Sequence, residues 1–268
     1  AIISPVKVEM HSFWRWRDAP LRCGLYVVTH MRALRLISSA ISLAQKFKVF
    51  PKRLPVPTLS FRRPKFPFPV GNSSKREVLL FTGCVMDAWY RNVHLDTIKL
   101  LEALGYSVKI SGDEYGCCGA LHEHAGFTKP ALKMQRKIQR SESTSTIVVN
   151  SAGCSASLKN SLGGIRVVLD INELLYRHLA DLQHLLVRRN ETVLIQEPCH
   201  LRHVQGISKE VRELLEISFT VAQLEDAFPG REGRAGDRNV PRLVRALLSL
   251  RRHPRRSAPR QLHGAARR

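Results

Sequence analysis

VLLFTGC, residues 78–84, and VLIQEPC, residues 193–199, are the stretches on which the fold turns. Each is a short apolar run ending at a loop cysteine, and Cys199 follows Cys84 by 115 residues. Short apolar runs bounded by Gly or Pro read as strands. Between them the sequence alternates. Glu77–Thr82 reads as a strand, Tyr90–Leu104 has helical spacing and stops at Gly105, and Tyr106–Ile110 is a strand again. A helix over Lys129–Gln139 follows, then strands at Thr146–Asn150 and Arg166–Leu169, a helix over Ile171–Leu186 and a strand at Thr192–Gln196. Short strands separated by helices predict an α/β fold of duplicated strand–helix units with a largely parallel sheet.

The offset of 115 predicts a repeated unit whose second copy is truncated. It carries the strand at 106–110 onto Val221–Glu225, within FTVAQLE, and the pair Cys117-Cys118 onto Glu232-Gly233. The expected organisation is a basic arm over 1–76, a first cysteine-rich repeat over 77–190, a partial second over 191–228 and a tail over 229–268. Twelve of the forty tail residues are Arg and no strand is evident there. Such a tail is expected to be disordered, or else to come from a shifted reading frame.

The formal charge of +21 taken alone suggests a nucleic-acid partner. Its distribution argues otherwise: residues 1–76 carry +13, residues 77–228 carry −2 and residues 229–268 carry +10. The folded part is near neutral, the flanks read as solvated or partner-contacting, and no nucleic acid is expected. There is no run of 18 apolar residues, so no membrane span is expected. The chain opens Ala-Ile-Ile-Ser-Pro, and Trp14-Arg15-Trp16-Arg17 breaks any early apolar core, so no secretory signal is read. Six cysteines without such a signal point to a reducing, cytoplasmic compartment, where thiols serve as ligands or nucleophiles.

In the arm, Met31, Leu34, Ile37, Ile41 and Ala44 make one stripe of a basic amphipathic helix over 31–48. Such a helix packs on its own domain or a neighbour, or lies on a membrane surface. Six prolines between 51 and 70 predict an extended linker. The arm is expected to dock on a partner, leaving the α/β core stable without it.

Cys84, Cys117, Cys118, Cys154 and Cys199 all fall at strand ends. Ligand sites of open α/β sheets collect outside the carboxyl ends of the strands, so these loops are expected to share one rim. Thiolates there suit an iron–sulfur cluster, and Gly83, Gly116, Gly119 and Gly153 beside them let backbone N–H groups approach the sulfurs. Zinc is a rival, although no Cys-x2-Cys knuckle is present. A metal-free dithiol at Cys117-Cys118 is another, and unrelated buried thiols a third. Cys23 lies outside the pattern. His122, His124, His200 and His203 are placed to donate to a cluster or a substrate. No dinucleotide fingerprint, phosphate loop or nucleophile elbow is present.

Thr82-Gly83-Cys84-Val85, Cys117-Cys118-Gly119-Ala120-Leu121, Ser151-Ala152-Gly153-Cys154 and Glu197-Pro198-Cys199-His200-Leu201, in this order, resemble the cysteine-rich "CCG" domain of heterodisulfide reductase-like proteins, in particular the iron–sulfur subunit of glycolate oxidase and its lactate-utilisation relatives. The resemblance implies iron–sulfur cluster binding, of 4Fe–4S type, by Cys84, Cys117, Cys118 and Cys154, with Cys199 from the second repeat, and Gly83, Gly119, Gly153 and His200 around them. It implies an electron-transfer subunit fed by a flavin-containing dehydrogenase that oxidises a 2-hydroxy acid, with FAD only on that partner. Electrons would pass to a quinone or another acceptor, with peripheral contact on the inner face of the membrane. The close-spaced cysteines of the family's ferredoxin-like module are absent here, and Ser157 stands where relatives often carry a further cysteine. The alternatives from other classes are a nucleic-acid-binding protein using the basic flanks and a metal-free dithiol oxidoreductase.

Overall fold

The computed structural model describes residues 19–51, 56–67, 76–140 and 145–223. Among them β1 (Arg76–Phe81), β2 (Tyr106–Ile110), β3 (Thr146–Val149) and β4 (Val168–Asp170) form one sheet in the order β2-β1-β3-β4, every neighbouring pair parallel. Side chains alternate across it. Leu79 and Phe81 join Ile147 and Val149 on one face, while Val78 and Leu80 join Val108 and Val148 on the other. A strand covered on both faces shows no polar side, which is why β1 and β3 read as unbroken apolar runs. Burying each such side chain contributes about 1.5–3 kcal/mol.

The arm carries α1 (Ala19–Thr29) and α2 (Met31–Lys46). After β1 come α3 (Cys84–Trp89) and α4 (Arg91–Ala103). After β2 come a 3-10 turn (Asp113–Tyr115), α5 (Ala120–His124) and α6 (Thr128–Gln139). α7 (Ala152–Leu162) joins β3 to β4, and α8 (Ile171–Tyr176) and α9 (Leu179–Leu185) follow β4. Ile98 and Leu101 of α4 and Leu174 of α8 cover the face of Leu80. Ile138 of α6 and Leu158 and Leu162 of α7 cover the face of Phe81. The result is a helix–sheet–helix sandwich.

The single helix expected over 171–186 is two. His178 leaves helical conformation, its Nε2 meeting the Tyr106 hydroxyl at 2.8 Å and its Nδ1 meeting Asp181 Oδ2 at 2.9 Å. The arm also departs from expectation, because α2 docks on its own domain. Its buried face is Met31, Leu34, Ser38 and Ser42, while Ile37 of the expected stripe is 42% exposed. The serines are inside because they have partners: Trp89 Nε1 donates to Ser38 Oγ at 2.9 Å, and Ser42 Oγ donates to the Leu59 carbonyl at 2.9 Å. The described part of the proline-rich segment, residues 56–67, is held by hydrogen bonds. Gln45 Nε2 donates to the Pro57 carbonyl and Gln45 Oε1 accepts from Leu59 N–H. Arg35, Arg63 and Arg91 converge on the buried Asp87 carboxylate.

β5 (Thr192–Ile195) and β6 (Thr220–Gln223) pair in a separate two-stranded sheet, where the 115-residue offset from β1 and β2 puts them. A π-helical turn (His200–Gln205) and α10 (Lys209–Glu216) connect them. These elements, as far as Ala222, belong to one compact unit, Ala1–Ala222; the other, Gln223–Arg268, lies outside the described residues apart from Gln223. So do the expected disorder of the tail, Glu232-Gly233 and the Trp-Arg repeat of the arm. Among the described residues no helix is long and apolar enough to cross a membrane.

Candidate metal centre

β1 connects outward to β2 on one side, and β2 returns across β1 to β3 on the other. The carboxyl ends of β1 and β3 therefore flank the point where the winding reverses, the crevice in which open α/β sheets place ligands. Cys84 starts α3 directly after β1, Cys117 and Cys118 lie in the loop after β2, and Cys154 sits in the first turn of α7 after β3. The loops are tied together. Thr82 N–H donates to Ser111 Oγ at 3.0 Å, and His94 Nε2–H donates to the Thr82 carbonyl at 2.8 Å. His94 Nδ1 accepts from the Asn150 amide at 3.0 Å, joining the β1 loop to the end of β3.

Gly119 closes the Cys-Cys turn. Its φ is +83°, and a Cβ there would stand 2.9 Å from the Ala131 carbonyl oxygen and 3.0 Å from its Cα, so only glycine fits. Its N–H donates to Cys117 Sγ at 3.4 Å. This is the one place where the expected approach of backbone N–H to sulfur is seen among these glycines. Gly83, at the start of α3, lies against Cys154: a Cβ on it would be 3.8 Å from that sulfur. Gly153 borders open space.

Four of the five expected cysteines come together. Cys84 meets Cys117, Cys117 meets Cys118, and Cys118 meets Cys154, each through thiol contacts. Donation from the Cys118 and Cys84 thiols, helped by the Gly119 N–H, pushes Cys117 down to about 3 against the opposing effect of burial. Cys84 is pushed up by its bond to Cys117 and by burial, and Cys118 by its bonds to Cys117 and Cys154 and by burial. Cys154 is lowered, chiefly by accepting from Cys118. Along the row the thiols therefore alternate between raised and lowered pKa, Cys117 and Cys154 being the two held low. Among the described residues, no three His, Cys, Asp or Glu side chains are placed to hold a single metal ion. A row of four cysteines of this kind suits a polynuclear cluster, whose ligands are spread over several irons.

Cys199 is not part of the row. It is exposed, one residue before the π-helical turn, and Cys23 is exposed as well. His200 Nε2 meets His124 Nε2 at 3.1 Å instead. His122 is buried, with Nδ1 unpartnered, and the charge of Cys117 acts on it. Burial nonetheless lowers its pKa. His94 was not singled out by sequence, since one histidine on an amphipathic helix carries no signal of what it ties. Ser157 stands within 3.5 Å of Glu123 Oε2 and 3.4 Å of Gln135 Nε2.

The sheet thus winds about four clustered cysteines, and comparison with known families finds a cysteine-rich domain in the same stretch. Residues 78–159 match the family model of the CCG cysteine-rich domain. The chain is 33% identical over 181 residues to an uncharacterized iron-sulfur protein of Methanocaldococcus jannaschii, covering 64% of this chain and 36% of that protein. It is 29% identical over 171 residues to the probable glycolate oxidase iron-sulfur subunit of Bacillus subtilis, covering 58% and 38%. It is 34% identical over 160 residues to lactate utilization protein A of Bacillus licheniformis, covering 59% and 55%. The chain thus spans between about a third and a half of the length of these relatives. No solved structure matches it.

Proposed function

We propose that this chain is an iron–sulfur electron-transfer component of a 2-hydroxy-acid oxidoreductase of the glycolate or lactate type. The observation that carries the reading is the row Cys84–Cys117–Cys118–Cys154 at the reversal point of the sheet. The donor set fits the group. Four clustered thiols are soft ligands, Cys117 and Cys154 have pKa values held low by their neighbours, and the buried Nδ1 of His122 has no hydrogen-bond partner in the protein. Cys84, Cys117, Cys118 and Cys154 would hold the cluster, of 4Fe–4S type, while Cys199 of the second repeat stands exposed outside the row. The bound cluster supplies one-electron exchange. The protein's share is to hold the thiolates, to aim the Gly119 N–H at Cys117 and to keep water from the buried sulfurs. Relatives named as glycolate oxidase iron-sulfur subunits support a place beside an oxidase partner; in this reading the electron source is a flavin-bearing dehydrogenase, with a ferredoxin-like module beside this one and a quinone or other acceptor beyond it. The whole works on the cytoplasmic side of the membrane.

The test is anaerobic reconstitution with iron and sulfide. Visible absorbance and stoichiometric iron are expected in the wild type, and both should be nearly lost in Cys117→Ser/Cys118→Ser. Zinc bound in place of iron, or iron retained by the double variant, would overturn the reading. Mixing loaded protein with a flavin-dependent 2-hydroxy-acid dehydrogenase and its acid should bleach the absorbance; failure of that step alone removes the assignment of donor.

A further inference from the structure

We propose that Met31 seals the Cys84–Cys117 end of the centre, so that the arm helix α2 is a wall of the metal site and not a connector. The proposal rests on the cluster reading above. Met31 is 6% exposed and belongs to one buried cluster with Leu34, Cys84 and Cys117. The fit is close: a Cβ on Gly116 would stand 2.8 Å from Met31 Cγ and 3.2 Å from Sδ. Gly116 has φ −68° and ψ −14°, a backbone any residue adopts, and besides the Asp113 carbonyl oxygen at 3.2 Å the room of its missing side chain is taken by Met31. The same helix grips both cysteine loops. Arg35 donates to Asp87, three residues after Cys84, at 3.2 Å, and to Asp113, four residues before Cys117, at 2.6 Å. A thioether adapts its shape to an irregular sulfur-rich surface and offers no competing charge. Water access at thiolate-held clusters tunes their potential, and this side chain governs that access from the arm side.

Full-length protein decides it, with Met31→Ala, Met31→Leu, Gly116→Ala and Met31→Ala/Gly116→Ala. In the reduced, metal-free protein, alkylation of each cysteine by N-ethylmaleimide is followed by peptide mass spectrometry. Met31→Ala is expected to speed Cys84 and Cys117 on the order of tenfold through easier local opening, with Cys154 nearly unchanged as the internal control. Met31→Leu should remain near wild type. Gly116→Ala should speed alkylation in the wild type, where the methyl displaces Met31, and slow it in Met31→Ala, where the methyl refills the gap. A general loss of stability gives no such reversal of sign. In iron-loaded protein, Met31→Ala should raise the reduction midpoint, since water stabilises the added negative charge, and Met31→Leu should not. Wild-type alkylation rates in Met31→Ala, an equal rise at Cys154, or a Gly116→Ala effect of one sign in both backgrounds would overturn the proposal. A protein that takes up no iron would instead overturn the cluster reading, while the alkylation rates still decide the wall.

Discussion

β1 and β5 both run into a cysteine, yet they end differently. Four residues of β1 are buried and Cys84 enters a row of four thiols; no residue of β5 is buried and Cys199 is exposed. β1 has parallel neighbours on both sides, β2 and β3, and their loops deliver Cys117, Cys118 and Cys154 to its carboxyl end. Among the described residues β5 pairs only with β6. A strand that ends in cysteine therefore joins a thiol row only when flanking strands bring further thiols to the same rim. The motif is local; the site is a property of the sheet.

The largest effect that tests this contrast is on cluster content. Cys84→Ser, Cys117→Ser, Cys118→Ser and Cys154→Ser should each remove most of the visible absorbance of reconstituted protein, whereas Cys199→Ser should keep it. Iron per chain measured beside the spectra gives the check. Equal losses at Cys199 would erase the distinction between the two sheets.

Next in size are two glycines. Gly119 and Gly206 both have positive φ, +83° and +70°, but only Gly119 is crowded, by the Ala131 backbone; Gly206 borders open space. Gly119→Ala combines a left-handed backbone with a main-chain clash and should cost about 3 kcal/mol or more. Gly206→Ala carries the backbone cost alone, about 1 kcal/mol. Urea unfolding of the two variants measures the difference, and equal costs would mean that the Cys-Cys turn yields more easily than its geometry implies.

A third effect is set by pH. Burial lowers the pKa of His94, partly opposed by its bond to the Thr82 carbonyl. The unfolded chain then binds a proton more readily than the folded one, so this stability is present above the ordinary histidine value near 6.5 and is lost as pH falls through the lowered one. Stability measured by urea should drop on acidification across that window, with His122 acting in the same direction. His94→Leu should cost about 1–3 kcal/mol at neutral pH, from the unpaired Thr82 carbonyl, and should flatten the His94 share of the slope. An unchanged slope would show that His94 is not buried neutral.

Much of this was legible in the residues. β2 begins and ends where the sequence reading puts it, and β1, β3 and β5 fall within a residue or two, because apolar runs closed by Gly or polar residues have few alternatives. The four clustered cysteines could be picked out as loop residues at strand ends. Other features were hidden for stated reasons. Ser38 and Ser42 of α2 are buried because distant groups bond to them, and no helical stripe records a partner far along the chain. The break at His178 depends on Tyr106, 72 residues away. Cys199 could not be separated from Cys84, since exposure is decided by neighbouring strands and the two motifs look alike. Met31 on its stripe has the pattern of any core residue.

The smallest effect concerns how the Cys199 turn is held against the larger sheet. Gln205, at the end of that turn, reaches α7, whose first turn carries Cys154. Its Nε2 donates to the Ala152 carbonyl at 3.0 Å and to Ser155 Oγ at 2.8 Å. Ser155 in turn donates to Asp170 Oδ2 at 2.9 Å, and Asp170 caps α8 through Asn172 N–H at 3.1 Å. One side chain thus couples the turn after Cys199 to β4 and to the helix of Cys154. Gln205→Ala removes both donors but leaves Ser155 bonded to Asp170, so the expected cost is about 1 kcal/mol. Because Leu201 and Ile207 remain buried on either side, the turn should stay docked and the four-thiol row should keep its cluster. Hydrogen exchange should quicken over residues 199–207 and not at Cys117 or Cys118. Loss of iron in Gln205→Ala would mean that the two sheets share one metal centre, and the contrast between β1 and β5 would then be one of degree.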